Sequence, residues 1–204
     1  MSNNNLAVVV GSGPSLDLTL PLIKNGLPSA VIIASDSSLN ALAKEKILPH
    51  FVVSIDPEKS FESCGDPAFI PGIAVLSSQS HSSWAKNWEK KCYISGRVIS
   101  EDWLSEKGVG KSSLQAVNNA GLTALAFADF ISPSAILLVG MDLAGGGNGQ
   151  VRYAESTGRS HIEINANTFH QIPGNYYKTV PTPFFSDWHE TVSYTHLRAH
   201  ETLP

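Results

Sequence analysis

The chain has few of the features that mark several broad classes of protein. Only 2 of its 204 residues are cysteines, and Cys64 and Cys92 are too far apart for a disulfide framework or a metal motif. We therefore expect free thiols in a reducing compartment. No stretch approaches the roughly 20 apolar residues of a membrane-spanning helix, and no signal peptide is evident at the N-terminus. These absences predict a soluble, cytoplasmic protein with no membrane partner.

Positive charge is also scarce. Lysine and arginine together number 14, against 18 aspartate and glutamate residues, which gives a formal net charge of -4. Binding to a nucleic-acid backbone needs concentrated positive charge, so we expect no nucleic-acid partner. The chain does contain enough apolar sequence, 42% of its residues, to bury the core of one domain.

Six short apolar runs recur along the chain, and polar residues or glycine follow each of them. Continuous runs rich in valine and isoleucine are typical of strands buried on both faces of a parallel sheet. The runs are Leu6–Val10, Val31–Ala34, Phe51–Ile55, Ile73–Leu76, Cys92–Ile94 and Ala135–Val139. We predict helices over Ser37–Lys46 and over Ser112–Phe130, the second capped by the hydroxyls of Ser112 and Ser113. Alternating strands and helices predict a single-domain α/β fold with a doubly wound, mostly parallel, Rossmann-like sheet.

The first run stops at a glycine-containing turn, Gly11-Ser12-Gly13-Pro14-Ser15. Glycines let backbone N–H groups approach a ligand closely, and a helix that follows adds its positive end, which suits a phosphate. The turn is not the dinucleotide fingerprint, because Leu16 stands where a third glycine should fall. It is not a Walker loop either, because no Gly-Lys-Ser/Thr follows. Two interpretations stay open: a nucleotide-phosphate loop, or a tight turn that needs glycine for steric reasons alone.

Aspartates follow three of the other predicted strands: Asp36 the second, Asp56 the third and Asp142 the last. Each one alone is also consistent with a turn or a helix cap. In a doubly wound sheet, ligands bind beyond the carboxyl ends of the strands. The three carboxylates are therefore expected on one rim, where they would suit contacts to a metal, a ribose or an amine.

Four motifs in this order resemble the MptE-like domain family, formerly a domain of unknown function. They are Gly11–Asp17, Ile33–Leu39, Pro49–Pro57 and Leu138–Ala144. This domain forms the centre of motility accessory factors, which resemble glycosyltransferases acting on flagellin and are related to bacterial sialyltransferases. It also occurs in archaeal 6-hydroxymethylpterin diphosphokinases. The segments Ile172–Asn175 and Val180–Thr182 resemble a strand pair of the motility factors.

The first chemistry that the resemblance implies is glycosyl transfer. The donor would be a CMP-activated nonulosonic acid, and the acceptor a Ser or Thr hydroxyl of flagellin or a similar protein. The turn Gly11–Ser15 would hold the nucleotide phosphate, although Ser12 stands where the sialyltransferases usually carry asparagine. Asp36 and Asp56 would lie near the ribose, base or sugar amine. Asp142 would close the far side of the nucleotide site, to which Asn175 is also assigned.

Glycosyl transfer needs a general base to deprotonate the acceptor hydroxyl, and an imidazole does this best near neutral pH. His161 is the first candidate, because a histidine follows the Asp-Leu-Ala motif in the motility factors. His170 is the second, and both are also consistent with surface histidines. The stretch Gly145–His170, which contains His161, is glycine-rich and then polar. It is either a mobile lid, an irregular insertion or a plain surface loop.

The second chemistry is transfer of a diphosphate from ATP to a pterin alcohol. Asp56 and Asp142 would then ligate Mg²⁺, which prefers carboxylates and substrate phosphates. This reaction also needs cations around the phosphates, and Lys111 and Lys178 are candidates that are equally consistent with surface charges. A third hypothesis is a nucleotide-sugar-binding module without turnover. We expect a transferase and favour glycosyl transfer, with no cofactor beyond the nucleotide-sugar donor.

The last residues of the chain break the pattern of the rest. Residues 192–204 resemble the translation of a sequencing-adaptor read, so we interpret them as a non-native tail. The histidines and the arginine of that tail therefore carry no weight as metal or catalytic candidates. We expect the MptE-like domain to occupy residues 1–191 and to continue in the natural protein.

Overall fold

All six apolar runs form strands of one sheet. The computed structural model describes residues 6–27, 29–96, 99–145, 151–159, 169–173, 179–182, 185–186 and 188–189. The strands are β1 (Leu6–Val10), β2 (Val31–Ser35), β3 (Phe51–Ser54), β4 (Ile73–Ser77), β5 (Lys91–Ile94), β6 (Ala135–Val139), β7 (His170–Pro173) and β8 (Thr179–Thr182). The helices are α1 (Leu16–Gly26), α2 (Leu39–Lys44), α3 (Ser82–Asn87), α4 (Ile99–Glu106) and α5 (Ala120–Phe130). Within these ranges, no helix has the length and apolar character needed to cross a membrane.

The sheet has the strand order β5-β4-β3-β2-β1-β6, and every pairing in it is parallel. The chain moves outward from β1 to β5 and then returns to place β6 on the other side of β1. Val8, in the middle of β1, therefore pairs with both Ile32 and Leu137. The predicted α/β fold with a parallel sheet is confirmed. The reversal between β1 and β6 is a topological switch point, and sheets of this kind bind ligands at the carboxyl ends of such strands.

Helices cover both faces of the sheet. Val8 and Val10 face one core, which α1, α2 and α3 complete, while Ala7 and Val9 face a second core under α5. All four of these β1 side chains are fully buried. A strand buried on both faces has no polar alternation, which is why the central strands are readable in the sequence as continuous apolar runs.

The predicted helix over Ser112–Phe130 is wrong in its first two turns, because α5 begins only at Ala120. Residues 112–119 instead run beside the end of β5. The N–H of Ser95 donates to the carbonyl of Leu114 at 3.2 Å, and the N–H of Ala116 donates back to the carbonyl of Ser95 at 2.7 Å. The N-cap of α5 is Asn119, whose Oδ1 accepts the N–H of Leu122 at 2.9 Å. Backbone N–H and carbonyl groups that a helix over 112–119 would have used are thus bonded to the residue after β5 instead.

Strands β7 and β8 form a separate antiparallel pair, as the resemblance to the motility factors implies. The pair is attached to the segment that follows β6. The N–H of Gly145 donates to the carbonyl of Pro181 at 2.9 Å, and the hydroxyl of Thr182 donates to the carbonyl of Leu143. Ile172 and Val180 bury their side chains against the same segment.

Candidate functional site

A cleft opens at the carboxyl ends of β1, β2 and β6, where the strand order reverses. It encloses about 100 Å³ and is open to solvent. Four chain segments and three further side chains line it. They are Gly11–Gly13, Ser35–Ser37, Asn119–Gly121, Gly140–Ala144, Lys59, Arg152 and Tyr153. The N-terminus of α5 is thus part of the wall, and the partial positive charge of that helix end favours an anion in the cleft.

The glycine turn after β1 is joined to the segment after β6. The N–H of Gly11 donates to the carbonyl of Val139, and the N–H of Gly13 donates to the carbonyl of Gly140, both at 2.8 Å. The N–H of Ser15 donates to Asp142 Oδ2 at 2.9 Å. Three of the N–H groups expected to hold a phosphate are therefore already bonded within the chain.

Both glycines of the turn are required by close packing. A Cβ at Gly11 would lie 2.3 Å from the carbonyl oxygen of Gly140, and a Cβ at Gly13 would lie 2.2 Å from Asp142 Oδ2. Gly140 itself has a φ of +64°, a region that glycine adopts without strain. The steric interpretation of the turn thus accounts for its glycines. Of the remaining turn residues, Ser12 lines the cleft, whereas Pro14 and Ser15 do not.

Asp142 occupies the position at the start of α1 where the sequence predicted the phosphate of a ligand. Its carboxylate accepts the N–H of Ser15, the residue immediately before α1, and so places a negative charge at the positive end of that helix. A phosphate at the same place would meet a like charge. Asp142 does line the cleft, as expected, but from the wall formed by the segment after β6.

Asp36 lies at the base of the cleft and is fully buried. Its Oδ1 accepts the N–H of Ser37 at 2.6 Å and the hydroxyl of Ser37 at 3.0 Å, and its Oδ2 accepts the hydroxyl of Ser54 at 3.2 Å. A buried carboxylate needs such partners, because burial without them is very costly. Asp36 therefore stabilises the cleft wall. Because its carboxylate is buried, it would act on a nucleotide through Ser37 and Ser54 and not by the direct contact that was predicted.

Lys59 supplies a cation that the sequence analysis did not select. Its Nζ lies 3.7 Å from Asp36 Oδ1 and 3.8 Å from Asp56 Oδ2, and it donates to the hydroxyl of Ser37 at 3.3 Å. Asp56 does not line the cleft, and its Oδ1 accepts the N–H of Glu58 in a local turn. The signal that could have found Lys59 is its position three residues after Asp56, just beyond a strand that ends at the same rim.

The segment 151–159, part of the stretch interpreted as a lid or a loop, packs against α1. Asp17 in the first turn of α1 accepts two N–H groups of this segment, those of Glu155 at 2.9 Å and Ser156 at 3.3 Å. The N–H of Ala154 donates to the carbonyl of Ser12 at 3.0 Å. These bonds fix the segment beside the glycine turn.

The docked segment adds two arginines and an aromatic ring to the site. The guanidinium carbons of Arg152 and Arg159 lie 5.1 and 5.0 Å from the ring centroid of Tyr153. Arg159 also donates to the hydroxyl of Ser37 at 3.5 Å and to the sulfur of Cys64 at 3.2 Å. Burial, together with the nearby Asp36 carboxylate, raises the pKa of the Cys64 thiol.

Comparison with known proteins places this site in a family. A family model described as 6-hydroxymethylpterin diphosphokinase MptE-like matches residues 1–148. The chain belongs to the MptE-like family. The fold is similar to the solved structure of a MAf glycosyltransferase from Magnetospirillum magneticum AMB-1, with a TM-score of 0.68 and 19% sequence identity. That similarity covers 89% of this chain but only 28% of the other, so this chain spans little more than a quarter of it. Comparison with curated protein sequences gives no match.

Several residues selected from the sequence of this MptE-like chain lie outside the described residues. They are His161, Asn175 and Lys178. His170 is described: it lies on β7, is exposed, and its ring lies 4.7 Å from that of Phe185 at a tilt of 37°. It does not line the cleft. Lys111 is paired with Asp102 and also lies outside the cleft lining.

The MptE-like cleft was also expected to hold Mg²⁺ if the reaction is diphosphate transfer. Among the residues that the structure describes, no three or more His, Cys, Asp or Glu side chains come together in a way that could hold a metal ion. Of the two predicted ligands, Asp142 is bonded to the N–H of Ser15, and Asp56 lies beside the ammonium of Lys59. The described carboxylates therefore fit a metal poorly.

Proposed function

We propose that this MptE-like chain is the nucleotide-binding part of a transferase, with the donor in the cleft between the ends of β1 and β6. The observation that carries the proposal is Lys59, a cation that lines this cleft beside the ends of β2 and β3. Arg152 adds a second positive side chain to the same lining, and the N-terminus of α5 adds partial positive charge. Together they favour a ligand with a phosphate.

The proposed reaction is glycosyl transfer from a CMP-activated nonulosonic acid to a Ser or Thr hydroxyl of flagellin or a similar protein. The acceptor oxygen attacks the anomeric carbon, its proton passes to a base, the bond from that carbon to the phosphate oxygen breaks, and CMP leaves. The fold similarity to a MAf glycosyltransferase supports this choice, because it covers 89% of the chain, whereas the family model ends at residue 148. His161 remains the first candidate for the base. His170, the second candidate from the sequence, lies against Phe185 outside the cleft lining, so we do not propose it as the base.

The placement of Lys59 also bears on the need for a metal. Its ammonium lies within 4 Å of both Asp36 and Asp56, at 3.7 and 3.8 Å, so the chain's own cation lies between these carboxylates. A divalent ion bridging them would have to displace a positive charge. We therefore propose that donor binding does not require Mg²⁺.

The second candidate function is Mg²⁺-dependent diphosphate transfer from ATP to 6-hydroxymethylpterin. Two observations favour it: the description of the family model that matches the chain, and the presence of Lys59 and Arg152 where a phosphate chain would need cations. Under this function, Mg²⁺ would be held mainly by the substrate phosphates, with Asp142 or Asp56 contributing one carboxylate at most.

Calorimetric titration of the full chain with CMP and with ATP, each with and without Mg²⁺, tests the two functions. We expect CMP to bind with the same affinity in both conditions. Binding of ATP that appears only with Mg²⁺, together with no binding of CMP, would instead establish the diphosphokinase. Absence of binding by both nucleotides would refute a nucleotide site in this cleft.

Turnover separates a transferase from a binding module. A chain that transfers a nonulosonic acid from its CMP donor should lose product formation with His161→Ala while keeping its affinity for CMP. His170→Ala is the matched control and should keep product formation, because this ring contacts Phe185 outside the cleft lining. Binding of the donor with no product from the unmodified chain would favour the module.

A further inference from the structure

Lys59 has hydrogen-bonding capacity that the described part of the chain does not use. An ammonium group carries three N–H donors. Within the described residues, Lys59 makes one side-chain hydrogen bond, to the hydroxyl of Ser37 at 3.3 Å. Its distances of 3.7 and 3.8 Å to Asp36 and Asp56 are too long for hydrogen bonds, so those carboxylates attract the ammonium without saturating it. The Lys59 side chain is 25% exposed and lines the cleft.

A second observation at the same cleft points to a missing partner. Ser35 is only 3% exposed, and its hydroxyl has no hydrogen-bond partner among the residues described. Buried hydroxyls are almost always bonded, so an unbonded one calls for an explanation. Ser35 follows Ile33 by two residues on β2, so its side chain lies on the α5 side of the sheet, and it lines the cleft.

The glycine turn contributes one further donor. The N–H groups of Gly11, Gly13 and Ser15 are bonded to the segment after β6. The N–H of Ser12 makes no hydrogen bond with any described residue, while the carbonyl of Ser12 accepts from Ala154. Ser12 is thus the turn residue whose N–H is left for a ligand.

We propose that Lys59, Ser35 and the N–H of Ser12 form the phosphate subsite of this cleft, in place of the other N–H groups of the glycine turn. The proposal rests on the proposed function, since it assumes that the ligand is a nucleotide. Its ligand class is a single phosphate group, as in a nucleoside monophosphate or its sugar ester. On binding, the ammonium of Lys59 exchanges two long contacts with carboxylates for a charge-assisted hydrogen bond to a phosphate oxygen.

The site explains why the phosphate would lie away from the start of α1. The carboxylate of Asp142 already occupies that helix end, bonded to the N–H of Ser15. A phosphate placed there would be repelled and would find no free N–H group at Gly13 or Ser15. Across the cleft, two cations donate to the hydroxyl of Ser37: the ammonium of Lys59, which also lies within 4 Å of the Asp36 and Asp56 carboxylates, and the guanidinium of Arg159.

Calorimetry with CMP and with cytidine isolates the contribution of the phosphate. The full chain should bind CMP more tightly than cytidine. Lys59→Gln should lower the affinity for CMP about tenfold or more, the scale of one charge-assisted hydrogen bond, and leave the affinity for cytidine unchanged. Lys111→Gln is the matched control, because Lys111 is also paired with an aspartate but lies outside the cleft lining. Lys59→Arg, which keeps the charge, should restore most of the affinity for CMP.

The outcomes separate this proposal from the proposed function. No binding of CMP by the unmodified chain would refute the nucleotide site itself. Normal binding of CMP by the unmodified chain and by Lys59→Gln alike would overturn the subsite and leave the proposed function standing. If Lys59→Gln does not fold, as circular dichroism would show, Ser35→Ala decides the matter. That small change should lower the affinity for CMP but not the affinity for cytidine. Equal affinity of Ser35→Ala and the unmodified chain for CMP would overturn the subsite.

Discussion

The contact between Gly13 and Asp142 offers a direct test of how the switch point is built. In Gly13→Ala, the new Cβ would lie 2.2 Å from Asp142 Oδ2 and 2.9 Å from Asp142 Cγ. The carboxylate can rotate away, but Asp142 Cβ, which would also lie 2.9 Å from the new Cβ, is fixed to the backbone. By rotating away, the carboxylate must abandon the N–H of Ser15, to which it is bonded at 2.9 Å. Gly13→Ala and Asp142→Ala should therefore remove the same interaction.

The size of the effect follows from that interaction. A hydrogen bond from an N–H to a charged carboxylate contributes about 1.5–3 kcal/mol, and a negative charge at a helix N-terminus contributes about 0.3–1 kcal/mol more at an exposed site. For the partly buried Asp142, we expect Asp142→Ala to lower the free energy of unfolding by about 2 kcal/mol. Gly13→Ala should lower it by at least about 2 kcal/mol, because the contact with Asp142 Cβ adds to the lost hydrogen bond. The double variant keeps that contact but loses the hydrogen bond only once, so its loss should be smaller than the sum of the two single losses.

Urea unfolding of the unmodified chain, both single variants and the double variant gives the four free energies that this cycle needs. Gly26→Ala is the control, because a Cβ at that last residue of α1 meets nothing within 4 Å. It should change the stability by no more than about 1 kcal/mol, in the stabilising direction. Additive losses in the double variant would refute the reasoning, since the cost of Gly13→Ala would then not come through Asp142.

Four further predictions concern Gly11, Asp17 and the cysteines. Gly11→Ala should lower the free energy of unfolding by about 2–4 kcal/mol in urea, because its Cβ would lie 2.3 Å from a backbone carbonyl that cannot turn aside. Asp17→Ala should speed tryptic cleavage within residues 151–159 under native conditions, because it frees two N–H groups of that segment; an unchanged cleavage rate would contradict this. Burial raises the pKa of both thiols, but only Cys64 is closed off from solvent, so a thiol reagent should modify the exposed Cys92 first and Cys64 only on unfolding, as mass spectrometry would show. The free energy of unfolding should also fall above about pH 8.5, because the unfolded chain then releases the Cys64 proton that the folded chain retains.

The last of these effects has a definite sign. A thiol with a raised pKa in the folded state supports folding fully below the ordinary thiol pKa, and that contribution is lost as the pH rises towards the folded value. Substituting Cys64 by serine should therefore flatten the alkaline part of the stability profile. An alkaline profile that Cys64→Ser leaves unchanged would show that the raised pKa does not cause the loss.

The strands could be predicted and the start of α5 could not, for related physical reasons. Central parallel strands are buried on both faces, so nearly all of their residues are apolar and the strands can be recognised as apolar runs in the sequence. The start of α5 depends on a competition between two uses of the same backbone groups. Ser112 and Ser113 are good capping residues, but Leu114 and Ala116 pair with Ser95 at the end of β5, and that partner is not visible in the local pattern.

The site shows the same division. The glycine turn and three aspartates were selected because each follows a strand. Gly11–Gly13, Asp36 and Asp142 line the cleft, whereas Asp56 does not. Arg152 was missed because an arginine in a loop has no local feature that distinguishes it from a surface charge. Lys59 was missed because its spacing from Asp56 does not by itself show that its ammonium reaches the cleft. Their place in the cleft depends on how β3 and the segment 151–159 pack against the rest of the chain.

The sequence by itself determined the parallel α/β architecture and the family, and it predicted the edge of the sheet at which a ligand would bind. These properties follow from local patterns of burial, from turn residues and from motif order. Only the tertiary structure decided which group takes the N–H of Ser15, because its partner, Asp142, is 127 residues away along the chain. It likewise decided that Lys59 lies between Asp36 and Asp56. Hydrogen bonds and charge pairs need distances of a few ångströms. Residues far apart in the sequence reach such distances only when the order of the strands in the sheet places them side by side.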